Sequence, residues 1–170
     1  VNLLNQAAND FLLRDIQGII LDLRNNSGGY LDTSIEAASF FIEKGVIVKE
    51  KFSEDNTMEY EATGTAKLKD FPLVVLINEG SASASEIVAG ALKDYDLATL
   101  VGETSYGKGS VQEYEQFSDG SSLKLTTAKW LTPTGHSISE KGISPDIEIE
   151  LTQQDFDSDQ DPQLDKAIEV

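Results

Sequence analysis

Pro72-Leu73-Val74-Val75-Leu76-Ile77 constrains this chain more than any other stretch, because it is apolar at every position. Such a run reads as a strand covered on both faces, the kind that helices flank in a parallel sheet. It leads through Asn78-Glu79-Gly80 into a segment with Ala84, Ile87, Val88, Ala91 and Leu92 at helical spacing. The same order occurs earlier. Ile19-Ile20-Leu21-Asp22-Leu23 reads as a buried strand, a polar turn runs from Arg24 to Gly29, and Ile35, Ala38, Phe41 and Ile42 mark a helix that Gly45 ends. An amphipathic helix carrying Leu3, Leu4, Ala7, Ala8, Phe11 and Leu12 precedes both.

The remainder favours strands. Val46-Ile47-Val48 opens a polar, hairpin-like region that ends near Lys69, and Thr99-Leu100-Val101 opens a glycine-punctuated loop from Gly102 to Gly109. Val111 to Phe117 and Ser121 to Trp130 flank Asp119-Gly120, a hairpin signal. Pro133-Thr134-Gly135 is a further turn. Asp155 to Asp161 reads as an acidic loop, with Asp161 as N-cap and Pro162 as first residue of a short last helix. Strand–helix alternation followed by hairpins predicts an α/β fold with a mixed sheet and flanking helices.

At 170 residues the chain is sized for one domain. Thirteen Lys and Arg against thirty Asp and Glu give a formal charge of −17, which repels phosphate backbones and argues against a nucleic-acid partner. With no Cys and one His, His136, neither a thiolate metal site nor a multi-histidine site is available. No apolar run reaches the ~18–20 residues of a membrane span. The chain opens at Val1 without a signal-like block and reads as a piece cut from a longer protein.

Three stretches could carry chemistry. Gly102 to Gly109 matches a phosphate-binding loop up to Lys108, but Gly109 stands where Ser or Thr would hold magnesium, and strand-like residues follow instead of a helix. Asp157, Asp159 and Asp161 are spaced as in a calcium loop. Pro162 stands where such a loop needs Gly, and Ile168 where it needs a bidentate Glu, so no calcium site is expected. The third is Gly80-Ser81-Ala82-Ser83-Ala84-Ser85-Glu86, at the junction of the best strand and the next helix. A serine there would face the groove at the strand's carboxyl end, beside N–H groups able to hold an oxyanion. Ser83-Ala84-Ser85-Glu86 also reads as a helix-capping box. A serine nucleophile needs a proton acceptor, for which Lys108 between two glycines and His136 in a surface turn are the candidates.

Three blocks resemble the C-terminal processing peptidases, or tail-specific proteases: Leu21 to Gly29, Gly80 to Glu86, and Gly102 through Gly107-Lys108-Gly109-Ser110-Val111-Gln112. Shorter matches follow at Leu131 to Gly135, Gly142 to Asp146 and Asp161 to Ala167. The resemblance implies a crotonase-like, Clp-protease-related core and a serine endopeptidase with a Ser–Lys dyad. Carried over by motif, Ser83 is the nucleophile, Lys108 the base and Gln112 the residue that orients it. The oxyanion hole comes from the N–H groups of Ala84 and Gly29, with Gly28 and Asp94 in supporting positions. The family usually has Pro where Ser27 stands, and its members place a PDZ domain and an N-terminal segment before this core. Residues 1–170 are therefore expected to be the catalytic core alone. Neither cofactor nor metal is implied. The expected partners are C-terminal tails of protein or peptide substrates, acting outside the cytoplasm, and self-association is left open. The alternative reading is a non-catalytic peptide-binding or scaffold module of the same fold.

Overall fold

The computed structural model describes residues 2–64 and 66–170. Helix α1 (Asn2–Leu12) leads to strand β1 (Ile19–Asp22), helix α2 (Leu31–Ala38), and the hairpin β2 (Val46–Ser53) and β3 (Asn56–Glu61). Strand β4 (Leu73–Ile77), helix α3 (Ala84–Asp94) and strand β5 (Thr99–Gly102) follow. A second hairpin, β6 (Ser110–Gln116) and β7 (Ser122–Leu131), precedes strand β8 (Ile147–Glu148) and helices α4 (Gln153–Asp157) and α5 (Pro162–Glu169).

Parallel and antiparallel pairing are both present, divided between two sheets. One is parallel, in the order β1-β4-β5-β8; the other is antiparallel, in the order β3-β2-β7-β6. β4 lies inside the parallel sheet with all five residues buried, as its unbroken apolar run requires. Alternate side chains serve opposite faces. Leu73, Val75 and Ile77 enter the main core with Ile87, Val88, Ala91 and Leu92 of α3. Val74 and Leu76 join Val101 and Ala167 under α5, with Leu164 packed against them. α3 is buried along nearly its whole length, from Ser85 to Leu92, which explains its small residues; Gly90 sits against Thr132 and Ile143.

Most elements lie where the sequence puts them; the short edge strand β8 is an addition, and two others differ. α2 stops at Ala38 instead of continuing to Gly45. The carbonyls of Ser39 and Phe40 accept N–H bonds from Ala66 and Leu68 at 2.7 and 2.8 Å, so tertiary pairing takes acceptors a longer helix would need. The expected acidic loop begins as a helix: Thr152 caps α4, its hydroxyl and amide both donating to Asp155, at 2.6 and 2.8 Å.

Candidate active site

The carboxyl ends of β1 and β4 each open into a turn, and the two turns are bonded together. The Asn25 N–H donates to Asn78 Oδ1 at 2.8 Å, and the Asn26 carbonyl accepts from Ala82 N–H at 3.0 Å and Ser85 Oγ at 3.0 Å. The Gly28 N–H is occupied within its own turn by Asn26 Oδ1 at 3.0 Å. Gly28 has φ +101°, and a Cβ built on it would lie 2.6–2.9 Å from Ala82 O, Ala84 N and Ser83 Cβ. Only glycine lets the first turn approach the second so closely.

Three serines compete in Gly80 to Glu86, and the structure distinguishes them. Ser81 is fully buried; its hydroxyl donates to Leu23 O at 2.8 Å and accepts from Asn78 N–H at 3.0 Å. Ser85 is buried and committed to Asn26 O. Ser83 is part-exposed at the N-terminus of α3 and has φ +56°, a conformation that costs about 1–3 kcal/mol in a non-glycine residue and is concentrated at functional sites. Its oxygen occupies the capping-box position without forming a side-chain cap hydrogen bond; the Glu86 amide bonds the Ser83 carbonyl at 2.9 Å. Among the described residues, neither the Ala84 N–H nor the Gly29 N–H has an acceptor. Two unpaired donors, on Ala84 and on the Gly28-Gly29 turn packed against Ser83, thus accompany the one serine of the three whose hydroxyl donates to no described acceptor.

Glu86 is the residue that sequence reasoning valued too little. It is wholly buried, and its carboxylate accepts four hydrogen bonds: Ser83 N–H at 2.8 Å, Lys108 N–H at 2.9 Å, Gly107 N–H at 2.6 Å and Ser105 Oγ at 2.6 Å. The Ser83 and Lys108 amides share one oxygen atom, so the loop bearing Lys108 is held beside the serine turn. On its other side this loop lies against residues 138–142: Gly107 O accepts from Glu140 N–H at 3.0 Å, an approach that a Cβ on Gly107 or Gly109 would crowd. A capping-box Glu gives no sequence sign of this second task; its only signal is its place three residues after Ser83.

Lys108 itself is exposed, and its ammonium makes no ion pair or hydrogen bond among the described residues. Gln112 is exposed on β6 opposite Thr126, next to a register shift between Val111 and Gln112. Asp94 is not brought to Ser83. It ends α3, eleven residues on, where its carboxylate accepts from the Thr134 N–H at 2.8 Å and hydroxyl at 2.7 Å. His136, exposed in that turn, has Nδ1 2.9 Å from Thr134 Oγ1 and 3.9 Å from Asp94 Oδ1. The Gly102–Gly109 loop runs into β6, not into a helix whose N-terminus could face phosphates. Asp161, the third member of the calcium-like spacing, is engaged by Arg24 and by the Leu164 N–H.

Residues 2–149 match the family described as Peptidase family S41. The chain is 47% identical over 137 residues to a probable CtpA-like serine protease of Staphylococcus aureus (strain bovine RF122 / ET3-1), covering 79% of this chain and 28% of the relative. A protein of the same description from Staphylococcus epidermidis is 48% identical over 136 residues, with the same coverage. Among solved structures, a photosystem II D1 C-terminal processing protease superimposes with a TM-score of 0.80 at 37% identity, over 85% of this chain and 38% of that one. The chain spans under a third of the length of the curated relatives it matches. It belongs to peptidase family S41.

Proposed function

We propose that this chain is the catalytic core of a serine endopeptidase that cuts protein substrates near their C-termini through an acyl-enzyme. The observation that carries the reading is Ser83: strained, part-exposed, its hydroxyl donating to no described acceptor, with the unpaired N–H of Ala84 next to it and that of Gly29 on the turn packed against it. Ser83 attacks the scissile carbonyl, Lys108 takes the serine proton, and the two N–H groups hold the oxyanion. Protonated Lys108 then gives its proton to the leaving amine, and water repeats the cycle. Gln112 orients the lysine. A lysine base must be neutral, which burial promotes; a substrate lying over the exposed Lys108 supplies that covering. The C-terminal preference and a site of action outside the cytoplasm follow from the family resemblance.

The test is cleavage of an unstructured polypeptide by the natural full-length protein carrying this chain, compared with its Ser83→Ala and Lys108→Ala forms. Loss of cleavage in both is expected. Cleavage by Ser83→Ala at the wild-type rate would overturn the assignment of Ser83, and no cleavage by the unaltered protein would leave a peptide-binding module of the same fold as the better reading.

A further inference from the structure

The turn that carries Gly29 has a second attachment, made on the side away from Ser83. Arg24, its first residue, is 13% exposed in its side chain, and all five of its guanidinium N–H groups have acceptors. Nε donates to Asp22 Oδ1 at 3.0 Å and Oδ2 at 3.2 Å. Nη1 donates to Asp161 Oδ1 at 2.9 Å and Gln163 Oε1 at 3.0 Å, and Nη2 to Asp22 Oδ2 at 2.7 Å and Asp161 Oδ2 at 2.9 Å. Its partners are themselves held. Gln163 is fully buried and pinned by Nε2 donating to Ile149 O at 2.7 Å, while Asp161 caps α5 by accepting from Leu164 N–H at 2.9 Å. α5 in turn is seated on the parallel sheet through Leu164 and Ala167. A rigid path therefore runs from the last helix to the root of the Gly28-Gly29 turn.

We propose that Asp161, with Gln163, is a positioning residue for the oxyanion hole: acting through Arg24, the cap of α5 sets where the Gly29 N–H points. Asp161 to Ala167 is a motif that the catalytic chemistry leaves without a role, and this gives it one. Asp161 is more than a helix cap, because a cap needs one oxygen and here both oxygens receive the fork of Arg24. The inference rests on Ser83 being the nucleophile and Gly29 an oxyanion donor.

Asp161→Asn separates the two roles. Asn caps a helix as well as Asp does, so α5 should keep its start. Its amide nitrogen, however, faces an N–H of Arg24, donor against donor, and the guanidinium must shift. Removing an oxyanion donor costs about 10²–10³ in kcat, so displacing one should cost about tenfold or more. The experiment is steady-state cleavage of one peptide by the natural full-length protein and its variants. Asp161→Asn should lower kcat at least about tenfold with KM within about twofold. Arg24→Lys, which keeps the charge and loses the fork, should show the same split and decides the matter if Asp161→Asn does not fold. Lys166→Ala removes the exposed ion pair of α5 with Glu169 without touching Arg24 or the seat of α5, and should keep wild-type kcat. Wild-type kcat in Asp161→Asn, or an equal loss in Lys166→Ala, overturns the proposal. Wild-type turnover by Ser83→Ala would instead remove the catalytic reading and this inference with it.

Discussion

Two adjacent glycines should respond in opposite ways to the same added methyl group. Gly28 has φ +101°, and its Cβ would fall 2.6 Å from Ala82 O, 2.8 Å from Ala84 N and 2.9 Å from Ser83 Cβ. Gly29 has nothing within 4 Å of the corresponding position and lies outside the left-handed region. For Gly28→Ala the backbone penalty is about 1–2 kcal/mol, and a methyl forced into filled space adds about 1–3 kcal/mol. Two of the opposing atoms are main chain of the serine turn and the third is Ser83 Cβ, which that main chain fixes; the turn is itself held by Asn26 and Glu86, so little can yield. Destabilisation of about 2–5 kcal/mol is therefore expected, against about 0.5 kcal/mol or less for Gly29→Ala. Urea denaturation of the 170-residue chain reads the difference. Cleavage by the natural protein should fall with Gly28→Ala, as the turn is pushed off Ser83, and survive Gly29→Ala, which keeps its N–H. Equal stability of the two variants, or a worse outcome for Gly29→Ala, would refute the close-approach argument.

Glu86→Gln removes a charged acceptor from four hydrogen bonds and buries an amide with no acceptor in view, so a loss of at least about 3 kcal/mol is expected, together with failure to cleave; denaturation and a peptide assay check both. Tyr60 donates to the buried Glu50 carboxylate at 2.6 Å, and that bond pushes its phenol up to about 12. The neutral phenol stabilises the fold fully below pH ~10, and this contribution should disappear between pH ~10 and about 12. Melting curves should show the alkaline decline in the wild type and a smaller one in Tyr60→Phe, which at pH 7 should be about 1–3 kcal/mol less stable. Lys108→Arg should abolish turnover because a guanidinium cannot accept the serine proton, while His136→Ala should keep most of it; a peptide assay of both tests the order.

The strands and helices that were legible in sequence are those whose burial is one-sided or complete. β4 announced itself because both its faces are covered, and α5 because Asp161-Pro162 marks a helix start. What stayed hidden depends on distant pairing. α2 ends early because Ala66 and Leu68 take the carbonyls of Ser39 and Phe40 just past its end, and no local residue signals that. The division into two sheets depends on which edges meet, which alternation alone does not encode. At the site, the serine-rich turn was visible but the choice among Ser81, Ser83 and Ser85 came from family resemblance. The structure supplies the physical difference, since two of the three hydroxyls are buried and bonded. Glu86 read as a cap because its other partners lie about twenty residues further on. Asp94 is explained by the Thr134 turn that it holds, a contact across forty positions.

The central claim is that Ser83 is a nucleophile activated by Lys108. The direct measurement is peptide mapping by mass spectrometry after the natural full-length protein is treated with a fluorophosphonate, which phosphonylates activated serines with loss of fluoride. The account predicts a single adduct in residues 80–86, on Ser83, and its loss in Lys108→Arg. An adduct on another residue, or undiminished labelling of Ser83 in Lys108→Arg, would contradict it.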